Sequence, residues 1–167
     1  MFRIRSIVLA TAAIGALIAA GAGPAAAAPT ASSLQQQIDE QLRLAPGGTQ
    51  ISANQIAWRN GTVVMTFPQG GVGTLAASDC PAGWFCFWQH SNFEGRRLQF
   101  SDCGQQDLVT YGFRNQTSSW RNRTSSVIAV WQEDVIDDLL WTEPAQSQSS
   151  YVGAADNDRA DYFNRLC

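Results

Sequence analysis

Four cysteines restrict this chain more than any other feature: Cys80, Cys86, Cys103 and Cys167 all come after an N-terminal stretch laid out for export. Met1-Phe2-Arg3-Ile4-Arg5 is a short basic start, Ser6 to Ala20 is apolar, and Ala25 to Ala28 offer the small side chains of a cleavage site. That layout is a secretory signal peptide, read as residues 1–27 with the cut after Ala27, and its apolar run is too short to span a bilayer. An even number of cysteines in an exported chain implies two disulfides, with three pairings open. Zinc ligation is a poor alternative, because the cysteine spacings fit no zinc pattern and His90 is the only histidine.

Composition narrows the partners. The 167 residues carry 11 basic and 14 acidic side chains, a net charge of −3, and the basic ones are all arginine. Cleavage removes Arg3 and Arg5 but no acid, so the mature chain is more acidic still. A nucleic-acid footprint is therefore excluded, and no membrane partner is expected after cleavage. Fourteen Gly, six Pro and six Trp speak for many turns around an aromatic core.

Residues 28–73 read as an extension and linker ahead of a domain at 74–167. Ser33-Leu34-Gln35-Gln36 resembles a capping box, and Leu34, Ile38 and Leu42 make one apolar stripe, which predicts a helix over 33–45 ended by Pro46-Gly47-Gly48. Ile56 and Trp58 alternate before Asn60-Gly61, and Val63, Met65 and Phe67 after it, which predicts a hairpin with a type I′ turn. This unit is too small for its own core and is expected to pack on the domain C-terminal to it. Pro68 to Gly73 reads as the linker. From Asp79 the chain shows short apolar runs at Phe85–Phe87, Leu98–Phe100, Val127–Trp131 and Leu139–Thr142, with Ser147–Ser150 as a polar loop. Such spacing predicts a β-sandwich or Greek-key arrangement.

Trp88, Phe93 and Gly95 fit the pattern aromatic, four residues, Phe, one residue, Gly, and Arg114-Asn115-Gln116-Thr117-Ser118-Ser119 fits Asn/Asp, Asn/Asp, two residues, Ser/Thr, Ser. Together they resemble a βγ-crystallin Greek-key motif. With Cys80-Pro81-Ala82-Gly83-Trp84-Phe85-Cys86, Cys103 and Cys167, residues 79–167 resemble secreted peptidase inhibitors of the Streptomyces metalloproteinase inhibitor type. A second motif is degraded: Trp131 is kept, but Ile136 stands for Phe and Asp138 for Gly, and Asp161-Tyr162 ends the second signature where Ser/Thr-Ser is expected.

The resemblance implies a mostly β, crystallin-like Greek-key sandwich with two disulfides, preceded by the helix and hairpin. It implies the pairing Cys80–Cys86 and Cys103–Cys167, adding roughly 2 and about 4 kcal/mol in the loop-entropy picture. It implies a secreted inhibitor of extracellular proteases, zinc metalloproteases first among them, acting as a monomer through a rigid loop. Within the small ring, Pro81, Ala82, Gly83, Trp84 and Phe85 form the candidate inhibitory loop; the alternative for Trp84 and Phe85 is core packing. It also implies a weak calcium site from the carbonyls of Gln116 and Arg159 with the oxygens of Ser118 and Asp161. The Arg114 cation opposes that site, and the same residues could simply tie down loops. Calcium would be the only cofactor. A non-catalytic calcium-binding or cell-envelope module is the alternative function.

Enzyme chemistry finds little support. His90 and Ser91 are adjacent, and adjacent residues rarely face each other as base and nucleophile must. Glu133, Asp134, Asp137, Asp138 and Glu143 form an acidic run that reads as solvated, and the six Trp read as core ahead of a carbohydrate platform.

Overall fold

A computed structural model describes residues 31–69 and 79–167. The signal peptide, its cleavage site and Gly70–Gly73 of the linker lie outside the described residues.

Helix α1 (Ala31–Leu44) buries Ile38 and Gln41 and leaves Gln35, Gln36 and Gln37 to solvent, as four-residue spacing dictates. It begins before Ser33, which therefore lies inside the first turn instead of capping it. Its last carbonyls are met from the sheet: the Trp58 indole donates to Ala45 O at 3.1 Å. Gly48 permits that approach, since a Cβ there would sit 2.7 Å from the Trp58 ring.

Strands β1 (Thr49–Ser52), β2 (Gln55–Trp58) and β3 (Val63–Thr66) come next in an antiparallel run. The β2–β3 register pairs Trp58 with Val63, so the turn holds four residues, not the two of a type I′ turn. Asn60 and Gly61 do take positive φ, and Arg59 joins them. β3 then pairs with β5 (Glu94–Phe100), so the extension continues the sheet of the C-terminal domain.

That domain is a pair of Greek keys. The first comprises β4 (Phe85–His90), β5, β6 (Gly104–Asp107) and β7 (Ser119–Asn122); the second β8 (Ile128–Gln132), β9 (Asp138–Glu143), β10 (Ser147–Ser149) and β11 (Tyr162–Arg165). Each third strand crosses to the other key's sheet. The seven-stranded sheet runs β1-β2-β3-β5-β4-β7-β10 and the four-stranded sheet β6-β11-β8-β9. Between them lies an aromatic core: the Phe163 ring is 4.7 Å from both Phe85 and Phe100, and Phe87 and Tyr111 close around them. The second disulfide, Cys103–Cys167, ties the end of β11 beside its neighbour β6. Ser147–Ser150 is not a loop but supplies β10, a polar edge strand held by main-chain pairing to β7.

Candidate functional site

The two keys begin alike and end differently. In the first, the turn after β4 puts Asn92 and Phe93 at positive φ, and the chain folds back so that Phe93 meets Trp88 edge to face at 5.2 Å. The Ser119 hydroxyl staples this fold, donating to His90 O at 2.7 Å and accepting from Phe93 N at 3.1 Å. Gly95 is required beside it: its φ is +77°, and a Cβ would lie 2.8 Å from the His90 ring.

In the second key Trp131 is kept and the other parts are replaced. Tyr162 stands where Ser119 stands in the first, so the staple is gone, and Trp131 stacks on Tyr162 instead, centroids 6.2 Å apart and planes within 5°. Ile136 does not fold back. The β8–β9 hairpin pairs Gln132 with Asp138 and sends residues 133–137 outward, leaving Val135 98% and Ile136 80% exposed. Two adjacent β-branched apolar side chains held this far into solvent are the opposite of what burial favours.

The base of this tip is held firmly. Asp161, 2% exposed, accepts from Arg114 Nε at 2.6 Å through Oδ1 and from Glu133 N at 2.8 Å through Oδ2. Arg114 also reaches Glu133 at 3.3 Å, and the carboxylate of Asp161 raises the Arg114 pKa further. Arg159 donates to Gln132 Oε1 at 2.8 Å and lies 3.8 Å from Asp138. Burial first, then the carboxylates of Asp137 and Glu133, hold the Tyr162 phenol above its usual pKa. A rigid base thus carries an apolar apex flanked by Asp134 and Asp137.

These clamps also decide how the oxygens assigned to calcium are used. In the carboxamide orientation that satisfies its neighbours, Asn115 donates to Asp161 Oδ1 at 2.7 Å and to Arg159 O at 3.1 Å. Two of the four expected ligand oxygens therefore converge on an N–H, with a guanidinium alongside. The Ser118 hydroxyl lies 3.0 Å from Gln89 O, to which it donates, and Gln116 is engaged through its side chain, which donates to Gly112 O at 3.2 Å. A donor set already filled by N–H groups and a fixed cation does not fit a calcium ion at Arg159 and Asp161. Among the described residues no group of three or more His, Cys, Asp or Glu is placed to hold a metal.

The ring is closed by the Cys80–Cys86 bridge, and its aromatic residues follow the core-packing alternative. Phe85 is fully buried in the aromatic core, so it cannot enter another protein. Trp84 is half-buried against Cys80, Cys86 and Trp88. Pro81, Ala82 and Gly83 are exposed but carry little side chain, and the ring's main chain is already paired: Gly83 N donates to Arg123 O and Arg123 N to Trp84 O. The ring braces the start of β4. The acidic run divides as well: Glu133, Asp134, Asp137 and Asp138 surround the tip, whereas Glu143 is fully buried at the far end of β9. Burial pushes its carboxyl well above the usual range, and among the described residues only the Trp141 indole, at 3.1 Å, donates to it. Trp58, Trp88 and Trp120 are buried, which removes half of any tryptophan platform.

Residues 73–138 match the model of peptidase inhibitor family I36, a family of inhibitors and not of enzymes. The matched segment ends just after the exposed tip. No curated protein matches the chain. Similar solved structures include a βγ-crystallin domain from Clostridium beijerinckii (16% identity over 49% of this chain and 95% of that one, TM-score 0.42). The N-terminal domain of Protein S is similar at 15% identity over 50% and 94%, TM-score 0.43. A structure reported under the evolution of the eye lens βγ-crystallin domain fold is similar at 19% identity over 52% and 88%, TM-score 0.45.

Proposed function

We propose that the mature protein is an extracellular inhibitor of a zinc metalloprotease and that the β8–β9 tip, not the disulfide ring, enters the protease. The observation that carries this reading is the near-complete exposure of Val135 and Ile136 on a braced hairpin within the matched inhibitor segment. An inhibitor must offer side chains that fill a pocket without a large loss of freedom on binding. Val135 and Ile136 supply the apolar filling, and β-branching limits their rotamers in advance. The Arg114–Asp161–Glu133 and Arg159–Gln132 contacts fix the stem. Asp134 and Asp137, on either side of the apolar pair, offer hard oxygens of the kind a catalytic zinc accepts in its open position. Export rests on the basic-apolar-small layout of residues 1–28 and on two disulfides, which persist outside the cytosol.

The test is a titration of the mature chain against a thermolysin-like zinc protease and a subtilisin-like serine protease. Stoichiometric inhibition of the zinc enzyme with the serine enzyme unaffected is expected. Inhibition of the serine enzyme alone, or of neither at micromolar excess, overturns the assignment.

A further inference from the structure

A second feature has no part in the inhibitor reading. Arg96, on β5, projects under α1, where its guanidinium lies between the faces of Phe67 and Phe113, 6.0 and 5.9 Å from their centroids. Its hydrogen-bond partners are all neutral: the carboxamide oxygens of Gln89 at 3.1 Å, of Gln41 and of Gln116, and the Met65 thioether sulfur at 4.0 Å. Desolvation lowers its pKa and no carboxylate opposes that. All 14 acidic residues of the chain fall within the described segments, and none pairs with Arg96. A largely buried cation without a counter-charge is costly and uncommon. Arg97 next to it differs, for Asp79 offsets its burial.

Arg96 forms part of the wall of a cleft of about 690 Å³ between α1 and the β4–β5 hairpin. His90 adds an imidazole, Leu44, Phe67 and Pro68 give an apolar side, and Gln36 stands at the rim. The one acid on the wall, Glu40, is taken by Arg43 at 2.6 Å. We propose that this cleft binds a small monocarboxylate with an apolar body, its carboxylate supplying the missing counter-charge of Arg96. Glutamine side chains are flexible neutral acceptors, and a carboxylate displaces them because an ionised acceptor forms the stronger, fork-shaped pair with a guanidinium. The apolar tail then lies along Leu44 and Phe67.

The experiment needs no protease. The full mature chain is titrated with hexanoate and, separately, with hexanamide, with thermal melting and the NMR signals of the Arg96 Nε–H and the Gly95 and His90 amides as readouts. Hexanoate is expected to bind saturably in the millimolar range, raising the melting temperature and shifting those signals, with hexanamide inert. In Arg96→Met the response to hexanoate disappears while the ligand-free protein melts no lower, because an uncompensated charge has been removed. Gln36→Trp, which leaves Arg96 in place and fills the rim, weakens hexanoate about tenfold and decides the matter if the first variant does not fold. An equal response to hexanamide, no saturable response in the wild type, or a hexanoate response unchanged in Gln36→Trp overturns the proposal.

Discussion

Replacing Arg114 by alanine probes the joint between stability and the tip. Arg114 gives one charge-assisted bond to a carboxylate that is buried, Asp161 Oδ1 at 2.6 Å, and one contact to the exposed Glu133 at 3.3 Å. A hydrogen bond to a charged group contributes about 1.5–3 kcal/mol. The Arg114 side chain is 36% exposed, so solvent screening places the value near the lower part of that range, and the Glu133 contact adds only about 0.3 kcal/mol. The expected loss is therefore about 2 kcal/mol, or roughly 6–8 °C in melting temperature for a domain of this size. Calorimetry or chemical denaturation reads it, and a double-mutant cycle with Asp161→Asn should return most of it as coupling. Because the guanidinium and the Asn115 amide already occupy the oxygens of Asp161 and Arg159, millimolar calcium should leave the wild-type melting temperature unchanged; native-state binding would raise it. A cycle without coupling, together with a calcium-induced rise, would refute the view that the clamp fills the cation's place.

Single residues give the other expected outcomes. Burial raises the Glu143 carboxyl, so the folded state keeps that proton to a higher pH than the unfolded chain does. Stability should therefore be full at acid pH and fall by about 1.4 kcal/mol per unit as pH rises toward the folded pKa, and Glu143→Gln should flatten that slope in denaturation measured across pH. Removing the Cys103–Cys167 bridge, which spans 64 residues, should cost about 4 kcal/mol in urea titrations, against about 2 for the six-residue Cys80–Cys86 span. Gly95→Ala forces a methyl against the His90 ring at positive φ and should cost at least about 2 kcal/mol by thermal melting, without affecting the β8–β9 tip.

How far each element is legible in the chain depends on how its residues are constrained. The α1 stripe, the β2–β3 hairpin and the Trp88–Phe93–Gly95 fold are visible because burial and positive φ leave marks in residue type. β1, β6 and β10 are polar edge or near-edge strands, held by main-chain pairing that the alternation of side chains does not report. In sequence the ring fits both a contact loop, by its small size, and a braced strand start, by its aromatics; the packing of Phe85 against Phe100 and Phe163 selects the second. The tip escapes a sequence reading for a related reason. Ile136 and Asp138 are departures from a motif, and their effect depends on Tyr162, across the sheet, displacing the serine staple and taking Trp131 as its stacking partner. The stack joins β8 to β11, two strands that a strand-by-strand reading treats separately.

The most direct measurement compares inhibition of a thermolysin-like zinc protease by the wild-type mature chain, by Val135→Asp/Ile136→Asp and by Pro81→Ala/Ala82→Ser, with unchanged circular dichroism and melting as the control. Burial of such a side chain contributes about 2 kcal/mol, so losing both should weaken inhibition by roughly several hundred-fold, and losing one by about 30-fold, while the ring variant inhibits like the wild type. Full inhibition by the tip variant, or its loss in the ring variant alone, would contradict the account.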